Sequence, residues 1–323
     1  MKKVVLSVVA ALAFSAAPAL AADMPAKAAK VAPVAEPSPW DVAFGGALMN
    51  DYVWRGITQS NHKASVAAYF EPRYNVTKDL QLYVGISGES VSFLNRAAAE
   101  IDLYGGARWT IGPVVLDGGF WYYYYPGGEC FNSGVFCGVA MTNLPTNTNT
   151  MVADMSFWEV YFKPTWNVND QLAIGGNLFY TNSYLHSGAP GTYVSATAKF
   201  TASDKMAIGP FGWYVSGEFG RQYLGTTNSF YGLLGTANGP GIDYADYDTW
   251  NVGLGLTWKV FTLDLRYSGT DLSKGDCNAF TGDYTASGTT NVTAINPSGL
   301  GSNWCGSAFI AKLSADLTLG SLK

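Results

Sequence analysis

Histidine, cysteine and charge are all scarce in this chain of 323 residues. The two histidines, His62 and His186, are far apart in sequence, which leaves little for a histidine-built metal site or a histidine-based relay. Charged residues make up 13%, against about 25% in soluble domains. Aromatics are plentiful at 15%, with 37 glycines, so the chain falls outside the disordered class, which combines high charge with few aromatics. A net charge of −5 provides no electrostatic footprint for nucleic acid. No cofactor is expected. Beyond the N-terminus, no apolar stretch approaches the roughly 20 residues of a membrane helix.

The first residues read as a leader. Lys2 and Lys3 precede an apolar run from Val4 to Phe14, and Ala19-Leu20-Ala21 is a small-x-small cleavage site. Residues 1–21 are therefore expected to be a signal peptide. Residues 22–39, rich in Ala, Pro and Lys, read as a flexible periplasmic tail. The remaining 40–323 form one unit.

In that unit, alternation takes over. Trp158, Val160, Phe162, Pro164 and Trp166 oppose Glu159, Tyr161, Lys163, Thr165 and Asn167. Trp250, Val252, Leu254, Leu256 and Trp258 oppose Thr249, Asn251, Gly253, Gly255 and Thr257. The same pattern recurs at 64–75, 101–110 and 309–319. Period two over this length means strands with one apolar and one polar face. A membrane strand needs about 9–11 residues, while soluble strands peak near 5–6. The paired tryptophans are eight residues apart, roughly 26 Å at about 3.3 Å per residue. Tilted by about 40°, that projects to roughly 20 Å, near the apolar band between aromatic girdles.

Twelve strands are predicted, at 41–50, 63–75, 79–89, 100–111, 114–125, 155–167, 170–182, 191–203, 207–222, 246–259, 261–272 and 307–319. Short turns near 76–78, 112–113, 168–169, 204–206 and 260 alternate with long connections at 51–62, 90–99, 126–154, 183–190, 223–245 and 273–306. The expected fold is all-β: a transmembrane antiparallel β-barrel of about twelve strands, with short periplasmic turns and long external loops, in the outer membrane of a Gram-negative bacterium. Its expected partners are outer-membrane lipid and lipopolysaccharide, the barrel-assembly machinery, and small polar solutes or ions. Monomer and homo-oligomer both remain open.

The run Asp51-Tyr52-Val53-Trp54-Arg55-Gly56-Ile57-Thr58-Gln59-Ser60 resembles the N-terminal signature of the TorF porin family. Leu82-Tyr83-Val84-Gly85-Ile86-Ser87, Glu100-Ile101-Asp102-Leu103-Tyr104-Gly105-Gly106 and Tyr122-Tyr123-Tyr124-Tyr125-Pro126-Gly127 are similar to further blocks of that family. The likeness covers residues 40 to 167. It departs at Gly88-Glu89-Ser90-Val91-Ser92 and at the C-terminus, which lacks a terminal aromatic. The resemblance implies an outer-membrane barrel of the porin kind, with no assigned substrate.

The inward parity collects Glu71, Glu89, Asp102, Asp117, Glu159, Glu218, Asp264 and Asp316 against Arg73, Arg108, Lys163, Lys199, Arg266 and Lys312. Such a lining could hydrate a pore with a mild cation preference, and Gly106, Gly119, Gly175, Gly212, Gly253 and Gly255 would leave room inside. Alternatively, the opposed charges pair and plug the lumen, leaving a non-conducting structural or adhesion barrel. If the first strand runs on, Tyr52 and Trp54 face the outer girdle and Arg55 joins the lining, either as a gate or anion contact at the mouth or in a structural bond, to Asp51 or the backbone, that pins the first loop. Cys130, Cys137, Cys277 and Cys305 fall two per long loop and read as disulfide cysteines; three pairings exist, of which Cys130–Cys137 with Cys277–Cys305 is the local one. A hydrolase is the rival class, but Ser60 and His62 in one exposed turn do not make a triad, so no enzyme is expected. Asp243, Asp246 and Asp248 form a loose acidic run without the spacing of a calcium loop.

Overall fold

A computed structural model describes residues 39–129, 153–228, 241–281, 283–292, 296 and 298–322. The expected leader, all but the end of the tail, and Cys130 with Cys137 lie outside those residues. The chain forms β1 (Trp40–Met49), a short hairpin of β2 (Val53–Trp54) and β3 (Ile57–Thr58), and then β4 (Ser65–Asn75), β5 (Leu80–Glu89), β6 (Glu100–Ile111) and β7 (Val114–Tyr124). After these come β8 (Phe157–Asn167), β9 (Leu172–Thr181), β10 (Gly191–Thr201), β11 (Gly212–Leu224), β12 (Tyr247–Trp258), β13 (Phe261–Thr270), the helix α1 (Lys274–Thr281) and β14 (Ala308–Thr318). Leaving aside β2 and β3, twelve strands form a closed antiparallel barrel. Each pairs with its sequence neighbours, and β1 closes the ring on β14 from Ala43↔Thr318 to Met49↔Lys312.

Alternation dictates which way each side chain points. Leu48, Phe70, Val84, Leu103, Phe162, Leu254, Leu263 and Leu313 are exposed on the outer wall. At the short-turn end the outer wall carries Trp40, Tyr74, Trp109, Trp166 and Trp258; at the long-loop end it carries Tyr124, Tyr180, Tyr223, Tyr267 and Phe309. An apolar band between two aromatic girdles suits a bilayer, where a closed ring leaves no strand edge to desolvate. Among the described residues no helix is long and apolar enough to cross a membrane.

One strand starts later than its alternation suggests. The predicted strand at 207–222 begins at Gly212 and runs to Leu224. Pro210 has no N–H for a ladder, and Gly209 has φ +61°, so Ile208 and Phe211 pair only with each other, across a tight turn. The predicted strand at 261–272 likewise ends at Thr270.

Long-loop residues pack into the barrel mouth. Met49, Tyr52, Trp54, Ile57, Phe93, Tyr125, Met155, Tyr184, Tyr247, Leu272 and Trp304 share one buried apolar cluster. Helix α1 starts on an N-cap serine: the Ser273 hydroxyl accepts from the Asp276 N–H at 3.1 Å and donates to its carboxylate at 2.6 Å. A disulfide joins buried Cys277 to Cys305, 28 residues on. Closing a loop of that size is worth about 3–4 kcal/mol in the chain-entropy account. Replacing both cysteines by serine should open 273–306 to an added protease while the strand signal in circular dichroism is retained. Unchanged protease resistance would show that packing alone holds the loop.

Candidate functional site in the barrel lumen

The first long connection turns inward rather than projecting from the barrel. In the hairpin Val53 pairs with Thr58 and Trp54 with Ile57, leaving Arg55-Gly56 as a two-residue turn. Both turn residues are left-handed, with φ +46° and +79°, as a type I′ turn requires. Glycine adopts this freely; an arginine there costs on the order of 1 kcal/mol or more, which its contacts must offset. Those contacts are dense. The guanidinium donates to both oxygens of Glu159 at 2.8 Å and to Gln222 at 2.9 Å. It also lies over the rings of Trp54, Tyr193 and Phe179 at 4.2, 4.5 and 4.9 Å. On the other side, a Cβ on Gly56 would sit 2.8 Å from the Thr249 hydroxyl and 3.0 Å from Thr270.

The hairpin tip thus touches β8, β9, β10, β11, β12 and β13. At a spacing of about 4.8 Å and a tilt of about 40°, a twelve-strand ring is roughly 24 Å across from Cα to Cα. Wall side chains take about 6 Å from each side, leaving a gap that one two-stranded ribbon fills. Arg55 is therefore neither an anion contact at an open mouth nor a partner of Asp51. Tyr52 and Trp54 do not face the outer girdle. Both are buried inside, with Trp54 stacked on Tyr184 and edge-on to Tyr123. Strand β1 ends at Met49, and the hairpin that follows runs into the lumen, where Glu159 and Gln222 hold its Arg55-Gly56 tip.

Asp51 ties the base of this plug. It accepts from Thr58 at 2.5 Å, lies 3.0 Å from the Ser60 hydroxyl, and meets His62 Nδ1 at 2.7 Å. His62 Nε2 lies 2.8 Å from the Asn303 carbonyl. Both ring nitrogens face acceptors, so only the imidazolium satisfies both. The Asp51 hydrogen bond above all raises the His62 pKa, with help from Asn303 and against partial burial. The Ser60 hydroxyl contacts Asp51 and the Lys63 carbonyl, and it is not aligned with His62 as a nucleophile with its base. The 273–306 loop covers the hairpin from outside: Thr58 N–H donates to the Trp304 carbonyl at 3.0 Å, Trp304 Nε1–H donates to Asn61 at 2.9 Å, and Ile57 bridges Cys305.

A pH dependence follows from His62. Because its folded pKa is raised, its stabilisation is complete below the ordinary value of about 6.5 and fades as pH rises through the folded value. Protease protection of 273–306 should therefore weaken above about pH 6.5, and His62→Gln should remove that dependence. The effect is modest, because the ring is 42% exposed and its ion pair is screened. A wild-type profile matching that of the variant would rule out the latch.

Below the plug, most of the expected lining residues face inward as bonded groups; Glu89 and Asp102 each keep one oxygen without a hydrogen bond. Glu71 accepts from Arg73 Nε at 2.7 Å and Arg108 Nη1 at 2.9 Å. Asp117 holds Arg108 at 3.3 Å and Lys163 at 3.8 Å, and Tyr83 bonds both Asp117 and Tyr161. Asp264 takes Arg266 at 3.0 Å and Tyr214 at 2.6 Å, and Arg266 also bonds Ser216 at 2.8 Å and Asn251. Glu218 accepts from Tyr193 at 2.9 Å and Asn177 at 3.2 Å. Lys199 lies over the Tyr214 ring at 4.3 Å, and Asp316 accepts from Ser314 at 3.2 Å. Asp102 accepts from Ser87 at 3.0 Å.

The inward glycines do not leave open space. A Cβ on Gly255 would lie 2.1 Å from the Tyr214 ring, one on Gly119 2.5 Å from the Tyr161 hydroxyl, and one on Gly253 2.8 Å from the Arg266 guanidinium. These glycines seat long side chains laid across the wall. Sequence reasoning missed those tyrosines, together with Glu100, Tyr125 and the inward hairpin. A signal was present: Tyr83, Tyr104, Tyr123, Tyr161, Tyr193 and Tyr214 share the parity of the charges, where a water-filled lumen would carry small polar residues. The Asp243, Asp246 and Asp248 run is taken up by protein partners: Thr226, the Leu224 N–H and Arg221.

A closed twelve-strand antiparallel ring with an apolar outer belt and a polar interior is an outer-membrane-type β-barrel, and here its first loop is folded inside. The chain belongs to the Gcw_chp family, described as a bacterial protein of unknown function, whose family model matches residues 34–295. That span includes the segments resembling TorF porins, but the family found is Gcw_chp. No curated protein matches the chain. Among solved structures, LpxR from Salmonella typhimurium is similar at 10% identity and TM-score 0.40, over 86% of this chain and 99% of that one. The NanC porin aligns at 7% identity and TM-score 0.37, over 85% and 97%. OmpF of Salmonella typhi aligns at 8% identity and TM-score 0.33, over 87% and 96%. At these levels the likeness is one of barrel outline.

Proposed function

We propose that this protein is an outer-membrane barrel of a Gram-negative bacterium whose lumen is closed by its own first loop, a structural barrel that is silent to diffusion while the hairpin is seated. The observation that supports it is the Arg55-Gly56 tip, bonded to Glu159 and Gln222 and seated against Thr249 and Thr270 on the far wall. Beneath the plug, Glu71, Asp117 and Asp264 are paired with Arg73, Arg108, Lys163 and Arg266, which supports the same reading. A second reading, that of a porin whose hairpin is its gate, is favoured by the TorF resemblance and by the charged wall, which would hydrate once the hairpin left. Purified, refolded protein in planar bilayers separates the two. Silence over a range of voltages and pH supports the closed barrel; spontaneous steps in the unmodified protein would support the porin. With the long loops facing outward, protease added to intact cells should cut within 126–154 or 223–245, leave 273–306 whole while its disulfide holds, and never cut at 76–78 or 168–169.

A further inference from the structure

Three buried carboxylates meet at the long-loop end of β5 and β6. Glu89 and Glu100 are direct cross-strand partners, and Asp102 follows on the same face opposite Ser87. Like charges placed opposite each other in a sheet repel, and burial strengthens the repulsion. Glu89, Glu100 and Asp102 are almost wholly buried, and one oxygen from each lies within 4.8 Å of the others.

Neutral donors meet only part of their demand. Tyr52 and Tyr125 donate to the two oxygens of Glu100 at 2.5 and 2.7 Å, and Ser87 donates to Asp102 Oδ2 at 3.0 Å. Glu89 Oε2 and Asp102 Oδ1 are left buried with no hydrogen-bond partner, and the Trp121 indole N–H, itself unpartnered, lies close enough to act on Asp102. No arginine or lysine forms an ion pair with the three among the described salt bridges; Arg55 is committed to Glu159, and the charge of Lys312 reaches Glu89 while also facing Asp264 and Asp316. Two orphaned carboxylate oxygens inside an all-oxygen cluster are what a hard cation would satisfy.

We propose that Glu89, Glu100 and Asp102 bind a single Ca²⁺ ion. Burial favours calcium: magnesium dehydrates reluctantly and keeps several waters, whereas calcium accepts a cage of protein oxygens such as these three buried carboxylates offer. Because Tyr52 opens the plug segment and bonds Glu100, the ion also fastens the plug to β5 and β6. The binding claim does not depend on whether the barrel conducts.

The test uses full-length mature protein, folded in detergent and stripped with EDTA. Terbium is added as a calcium probe that Tyr52, Tyr125 and Trp121 can sensitise, and calcium is then added in competition. Saturable terbium luminescence at one ion per chain, displaced by calcium well before magnesium, is expected, together with a higher unfolding temperature in calcium. Glu89→Gln and Asp102→Asn should each weaken calcium binding at least tenfold, while Asp243→Asn leaves it unchanged. Both site variants lose a repulsion, so in EDTA they should fold at least as well as wild type, which separates lost binding from lost folding. Absence of terbium luminescence, or a calcium response equal in wild type and both variants, would overturn the site and leave the acids held by protons.

Discussion

Taking the plug away is expected to turn a silent barrel into a conducting one. Replacing 51–62 by a short Gly-Ser linker removes the ribbon that fills the gap across the ring. Planar-bilayer recordings should then show stepwise conductance absent from wild type. A single change, Arg55→Ala, should act in the same direction by a harsher route. It leaves Glu159 buried without its cation, which costs about 3–5 kcal/mol. The pair Arg55→Gly with Glu159→Gln gives a cleaner form, because glycine suits the left-handed turn and no charge is stranded. If the linker variant folds, as judged by its strand signal and resistance to heat, yet stays silent, the paired charges below the plug close the lumen by themselves.

The second large effect lies on the outside. Leu254 is exposed on the outer wall, between the girdle positions of its strand. Leu254→Arg should cost about 2–4 kcal/mol at mid-bilayer depth. Its neighbour Gly255 faces inward, where a serine would seem harmless from alternation alone. It is not a benign control, because its Cβ would collide with the Tyr214 ring, which is itself bonded to Asp264. Thr257→Asn, inward and nearer the short-turn end, is the better comparison and should be tolerated. Unfolding in urea from lipid vesicles measures both. Equal stability of Leu254→Arg and Thr257→Asn would mean that the lipid face has been assigned to the wrong parity.

The barrel wall was legible because its causes are local. A period-two pattern with Trp158 and Trp166 eight apart needs no knowledge of partners, and the face of Leu254 or Glu159 follows from parity alone. Strand ends were legible to within a few residues, except where Pro210 removed a ladder donor. The plug was not legible in the same way. The turn Arg55-Gly56 is a hairpin signal, but whether a hairpin leaves the barrel or enters it depends on Glu159 and Gln222, 104 and 167 residues away. The lumen glycines misled for a related reason. A glycine announces a close approach without saying whether water or a tyrosine makes it. The acidic cluster lay half in view: Glu89 and Asp102 shared the inward parity, but Glu100, the first residue of its strand, was overlooked.

The distances along the chain from Arg55 to its partners also order the events of assembly. The hairpin is made early, directly after the first strand, yet none of the wall partners of its Arg55-Gly56 tip exists until β8 to β13 are in place. Until then a strained arginine turn carries an unpaired cation and several uncovered aromatics. Once β1 meets β14, the ring has no side opening through which the hairpin could be inserted. The loop must therefore be threaded into the mouth while the sheet is still open, or settle from the long-loop end before 273–306 covers it. Seating of Gly56 against Thr249 and Thr270 thus reports that the far wall has been built, and a chain stalled before β8 would be marked by a tip with nothing to hold.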